Sequence, residues 1–163
     1  MNTKQAILSN LNQSDFFVNA YLADLTDKDL LARACPGANH IAWQLGHLIQ
    51  TEQYFASQFA PGNAPVLPGD FKSRHTNDTA GSNDAGKFLT KDEYHRLAQA
   101  VRAEVLNALE STSEENLGKP VPFRAPPFCK TVGDTFLFLA NHWTMHAGQW
   151  AIIRRSIGKP PLF

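Results

Sequence analysis

TVGDTFLFLANHWTMHAGQWAIIRRSIG, residues 131–158, keeps a helical period from end to end. Phe136, Leu139, Ala140, Trp143, Ala147, Trp150 and Ala151 recur at three- and four-residue spacing and make one broad apolar stripe. Arg154 and Arg155 suit the negative end of such a helix. Gly158 suits the position just past it, and Pro160-Pro161 forbids continuation. The spacing predicts a helix from about Thr131 to Ile157.

Three more segments upstream read the same way. Thr90-Lys91-Asp92-Glu93 is a capping box, and Tyr94, Leu97, Ala98, Val101, Val105, Ala108 and Leu109 carry the period to about Ser111–Ser113. Asn39 suits the cap of a helix running to about Phe59, where Pro61-Gly62 ends it. Its first half is apolar nearly all round, so it is expected to be buried on most sides. The first segment, from about Thr3 to Leu25, places Leu8, Leu11, Val18, Leu22 and Leu25 on one face, with Thr3 as its cap.

The connections are of two kinds. Residues 60–89 are rich in Pro, Gly, Asn and Asp and leave little room for regular structure; a connection this long is either a lid over a site or a disordered insert. Residues 119–128, KPVPFRAPPF, cannot be helical and predict an extended segment across one end of the core. Four long amphipathic segments with no strands between them mean an all-α four-helix bundle, one domain spanning residues 1–163.

Composition narrows the functions available. Fifteen basic and fifteen acidic side chains cancel, so the electrostatic footprint of a nucleic-acid binder is missing. The apolar run Phe136–Ala140 is far short of a membrane span, and the N-terminus has no apolar leader core. A cytoplasmic protein is expected, with Cys35 and Cys129 as two free thiols. No phosphate-binding glycine loop and no Gly-x-Ser-x-Gly elbow is present.

Histidine gives the chain its specific signal. His142 and His146 stand four apart on the last helix, one turn apart on one face, so both imidazoles can reach one ion. His47 lies mid-helix in the second segment, again in apolar company. Any one of these alone reads as a core histidine satisfied by hydrogen bonds. Three at these spacings read as a metal site: two ligands from one helix, one from another, and an open position. Trp143 follows His142 where a zinc protease would have its glutamate, and no Glu-x-x-His pair offers a di-iron site. Gln149, three residues past His146, is the candidate for a hydrogen bond to a ligand imidazole. His40 lies about 10 Å along the helix from His47, too far for the same ion. His75 falls in the long connection and His95 at a surface position.

Asn39-His40-Ile41-Ala42-Trp43-Gln44-Leu45-Gly46-His47-Leu48, then Asn141-His142-x-x-x-His146-Ala147-Gly148-Gln149 and Arg154-Arg155-x-x-Gly158, resembles the DinB-like (DinB/YfiT) family of metalloenzymes. The resemblance implies a four-helix bundle of variant up-and-down topology, often a homodimer. It implies one divalent metal, zinc, nickel or iron, on His47, His142 and His146. Characterised relatives include transferases and isomerases that use a low-molecular-weight thiol on a small-molecule substrate. A three-histidine ion with an open position lowers the pKa of a bound thiol, which suits that chemistry. The rival reading is a non-catalytic bundle that binds metal or ligand without turnover. Against a purely structural zinc stands the absence of a fourth protein ligand.

Overall fold

Three of the four long helices begin with the same reciprocal device. Asn2 and Gln5 open α1 (Thr3–Leu22), Thr90 and Glu93 open α4 (Lys91–Ser111), and Thr131 and Asp134 open α6 (Val132–Ser156). Each pair satisfies two amides that a helix start leaves unpaired. The cap of α1 is thus Asn2 rather than Thr3, and the helix stops at Leu22 because Leu25 turns back on it instead of extending it. α2 (Ile41–Phe59) is capped one residue later than expected. His40, not Asn39, accepts the Trp43 amide on its Nδ1, and its Nε2–H donates to the Ser82 carbonyl at 3.1 Å. Two one-turn α-helices, α3 (Phe71–Arg74) and α5 (Glu114–Leu117), and two 3-10 turns, Asp29–Leu31 and Ala85–Lys87, complete the computed structural model, which describes residues 1–163.

The chain is all-α: its only ladder contact is one bridge between Pro120 and Thr131. On α1 the buried stripe runs Ile7, Leu11, Ser14, Val18 and Leu22. Leu8, expected on that face, is 38% exposed, because the four-three-four spacing starts from Ile7. Twenty-nine buried apolar residues, drawn from all four long helices and the segments between them, form one cluster.

The helix directions explain the long connection. Gln44 meets Trp150 while Phe59 stacks on Phe136, so α2 and α6 are antiparallel. Arg154 near the end of α6 holds the Tyr21 carbonyl at the end of α1, so those two run parallel. Lys4 reaches the Glu110 carbonyl, and Lys91 reaches those of Ala23 and Leu25, so α4 opposes α1. The topology is therefore up-down-down-up, with α2 and α4 parallel. A parallel pair obliges the chain to travel back the length of α2, about 28 Å for its 19 residues.

Residues 60–89 are that return, and they are ordered against the bundle rather than a loose insert. Trp43 donates its indole N–H to the Thr76 carbonyl at 2.9 Å, and Arg33 holds the Ser82 carbonyl at 3.0 Å. His75 is 5% exposed; its Nδ1–H donates to the Phe71 carbonyl, and its Nε2 accepts from the Tyr94 hydroxyl, both at 2.7 Å. Its ring fills the space where a side chain at Gly46 would begin, so a Cβ there would lie 2.0 Å from Cδ2. The proline-rich segment crosses one end of the core as expected. Phe123 packs on Phe55 and Phe59, and the Tyr54 hydroxyl donates to the Arg124 carbonyl. Arg154 is 1% exposed and paired with Asp24, so it is an interior anchor rather than a charge at the helix end.

Gly46→Ala is expected to cost about 2–3 kcal/mol in urea unfolding, since His75 must leave its place. Gly148→Ala, with nothing within 4 Å, should gain about 0.5–1 kcal/mol by helix propensity. Burial, with the Arg33 charge, lowers the His40 imidazole from 6.5 to about 4. Between those values the unfolded chain binds a proton that the folded chain does not, so this contribution is lost as pH falls through that window. The urea midpoint of the wild type, measured against His40→Asn, should therefore drop between pH 7 and pH 5.

Candidate metal centre

His47 on α2 and His142 and His146 on α6 converge where the two antiparallel helices face each other. One ring nitrogen from each lies within 4.8 Å of the other two, and the Nε2 atoms of His47 and His142 are 3.2 Å apart. His142 is buried, while His47 and His146 are half-buried. His40, His75 and His95 stay outside this group, as do both cysteines. Cys129 lies with its Sγ near the Asp134 carbonyl, and Cys35 is exposed.

The rings are held by neighbours. The Trp43 indole stacks on His47 at 5.5 Å with 8° between planes, and Phe138 stacks on His142 at 5.1 Å and 16°. Gln44 orients His146. Its side-chain N–H donates to the Asn39 carbonyl, and its Oε1 accepts from the Trp150 indole at 2.8 Å. An indole only donates and a carbonyl only accepts, so the amide cannot be the other way round. The second contact to Oε1, from His146 Nδ1 at 2.9 Å, must then be an N–H, which leaves the Nε2 lone pair of His146 facing inward.

Gln149 does not have this role: it is exposed and makes no hydrogen bond to the histidines. Gln44 was legible in principle, as an amide inside the buried run Ile41–Ile49 that needs partners. It stands on the other helix, however, and spacing along α6 leads only to Gln149.

The imidazoles are neutral at pH 7. Burial, then the neighbouring His146 and His47, holds His142 near 3; burial and His47 hold His146 near 4. Burial lowers His47 as well. Neutral imidazole is the form that binds metal. Two nitrogens each about 2.1 Å from one ion at the tetrahedral angle stand about 3.4 Å apart, close to the His47–His142 separation. The three histidines therefore form a set that could hold a metal ion, with no carboxylate or thiol beside them.

A sequence profile of the DinB superfamily matches residues 18–150 of the chain. Among solved structures, the crystal structure of a conserved protein from Enterococcus faecalis superposes with a TM-score of 0.66 at 18% identity, covering 98% of this chain and 99% of that one. At that identity the likeness speaks for the fold alone. No curated protein matches the chain. With the profile covering α2, α4 and most of α6 and reaching both histidine segments, the chain belongs to the DinB superfamily.

Proposed function

We propose that His47, His142 and His146 hold one divalent metal ion, zinc or nickel before iron. We further propose that the chain is an enzyme bringing a low-molecular-weight thiol to a small electrophile, as a transferase or isomerase. The observation that carries this reading is the donor set: three neutral imidazoles, one oriented through Gln44, with no acid or thiol of the chain among them. A bound divalent cation with only neutral ligands keeps its full charge and lowers the pKa of a thiol that joins it. The chain has no thiol at the centre, so the nucleophile is brought by a cosubstrate.

The chain's own residues set the surroundings. Gln44 keeps the His146 proton on Nδ1, away from the centre. Trp43 and Phe138 wall the histidines with aromatic faces that keep water from their flanks. The return segment fixes Trp43 through the Thr76 carbonyl, so a substrate meets a rigid wall there. Glu52, the nearest buried carboxylate on α2, is turned to Arg102 and Trp143 and serves no base role at the histidines. A homodimer is the assembly we propose, with exposed Met145 and Ile152 on α6 offering apolar area; sedimentation gives its mass.

Metal-free protein titrated with zinc or nickel in a calorimeter should bind one ion per chain. A His142→Ala/His146→Ala double variant should bind none, and Gln44→Leu should bind about 10–100-fold more weakly. Full binding by the double variant would remove the assignment. The thiol reading is tested apart from it, by screening bacillithiol, mycothiol, glutathione and coenzyme A against model electrophiles. Turnover that needs both metal and His47 is expected. One bound ion with no thiol binding and no turnover would replace it with the non-catalytic reading.

A further inference from the structure

α1 and α4 touch only sparsely, and a cavity of roughly 560 Å³ opens in the seam between them. That volume is in the range of small-molecule sites. Its walls are apolar: Val18 and Leu22 of α1, Leu45 of α2, and Ala98 and Leu106 of α4. None of the three histidines lines it. The cavity is therefore separate from the candidate metal centre, and a ligand held in it needs no metal on the histidines.

Charge concentrates at the inner end. Arg102 Nε lies 2.8 Å from Glu52 Oε1 and 3.4 Å from Asp15 Oδ1, and its Nη2 donates to Glu52 Oε2 at 3.3 Å. The Trp143 indole donates to that same oxygen of Glu52. Two carboxylates thus share one guanidinium, and the sharing is imperfect. The 2.8 Å contact is out of line with the N–H, and Glu52 Oε1 and Arg102 Nη1 have no hydrogen-bond partner. Asp15 accepts no hydrogen bond either, and with 37% of its side chain exposed it is open to a ligand. At the mouth, the Lys91 ammonium is tied to the Ala23 and Leu25 carbonyls, and Asp92 stands beside it. Three carboxylates, Asp15, Glu52 and Asp92, therefore face two cations, Arg102 and Lys91. Burial pushes Asp15 up and Glu52 to about 7, so desolvation opposes the charged form of both, and a cation bound beside them would favour it.

We propose that the seam between α1 and α4 is a binding site for a small organic cation, a primary amine on a compact apolar body. The ammonium donates to Asp15, where the excess charge is accessible. The body lies against Val18, Leu22, Leu45 and Leu106 and removes their surface from water.

Three probes of one shape separate charge from burial: cyclohexylmethylamine, cyclohexylmethanol and cyclohexanecarboxylate. Binding is followed by NMR on the full chain, with the Trp143 indole N–H signal as reporter, with and without zinc. The amine should bind about tenfold tighter than the alcohol and the carboxylate weakest, whether zinc is present or not. Asp15→Asn should remove the amine's advantage and leave the alcohol within about twofold. Ala98→Phe, which puts a ring into the cavity, should abolish binding of both. Each variant's amide spectrum reports whether it is folded. The proposal is overturned by a carboxylate that binds as well as the amine, by an amine advantage that survives in Asp15→Asn, or by shifts that map to the histidines. It is overturned equally by no saturable shift at about 10 mM.

Discussion

The amide of Gln44 sits fully buried between α2 and α6, and its two ends cannot be exchanged. Its N–H side serves the last carbonyl before the cap of α2, and its oxygen takes two donors from α6, Trp150 and His146. Each of those donors would otherwise lie beside apolar surface without water, so a slip of one helix along the other breaks more than packing. The same oxygen decides which nitrogen of His146 keeps its proton. Helix register and the tautomer of a candidate ligand are thus settled by one side chain.

Around that crossing, direction governs the rest. Because α2 and α4 run parallel, the chain must return along the bundle between them, and a return of about 30 residues needs docking points to repay its entropy. It has them at Trp43–Thr76, Arg33–Ser82 and His75–Tyr94. The last requires Gly46, one residue before His47. The backbone that presents a candidate ligand is therefore packed from outside by the segment that reads, in sequence, as the least structured.

The three tryptophans show how polar handles are distributed. Trp43 gives its N–H to the return segment, Trp150 to Gln44 and Trp143 to Glu52, so each ring packs and is also oriented. Two environments stay distinct, since none of the three histidines lines the seam between α1 and α4. One holds neutral imidazoles and no acid. The other holds two carboxylates on one guanidinium in an open seam.

By itself the sequence determined the four helices, the capping box at Thr90, the extended proline-rich crossing and the pairing of His142 with His146. All of these are local: hydrogen bonds three residues apart, or side chains one helical turn apart, are set by neighbours in the chain. It also pointed to His47 through its apolar company, though not to the distance between the rings. Only the tertiary structure decided that Gln44 and not Gln149 holds His146, that His40 is tied to the Ser82 carbonyl, and that the segment 60–89 is a docked return rather than an insert. Each of those depends on which helix lies alongside which and in what direction, and periodicity within one helix carries no information about that. Glu52 makes the same point: its spacing places it on the buried face, but its partner Arg102 lies about 50 positions away in the chain, and Asp15, which shares that guanidinium, about 37, so they meet only through packing.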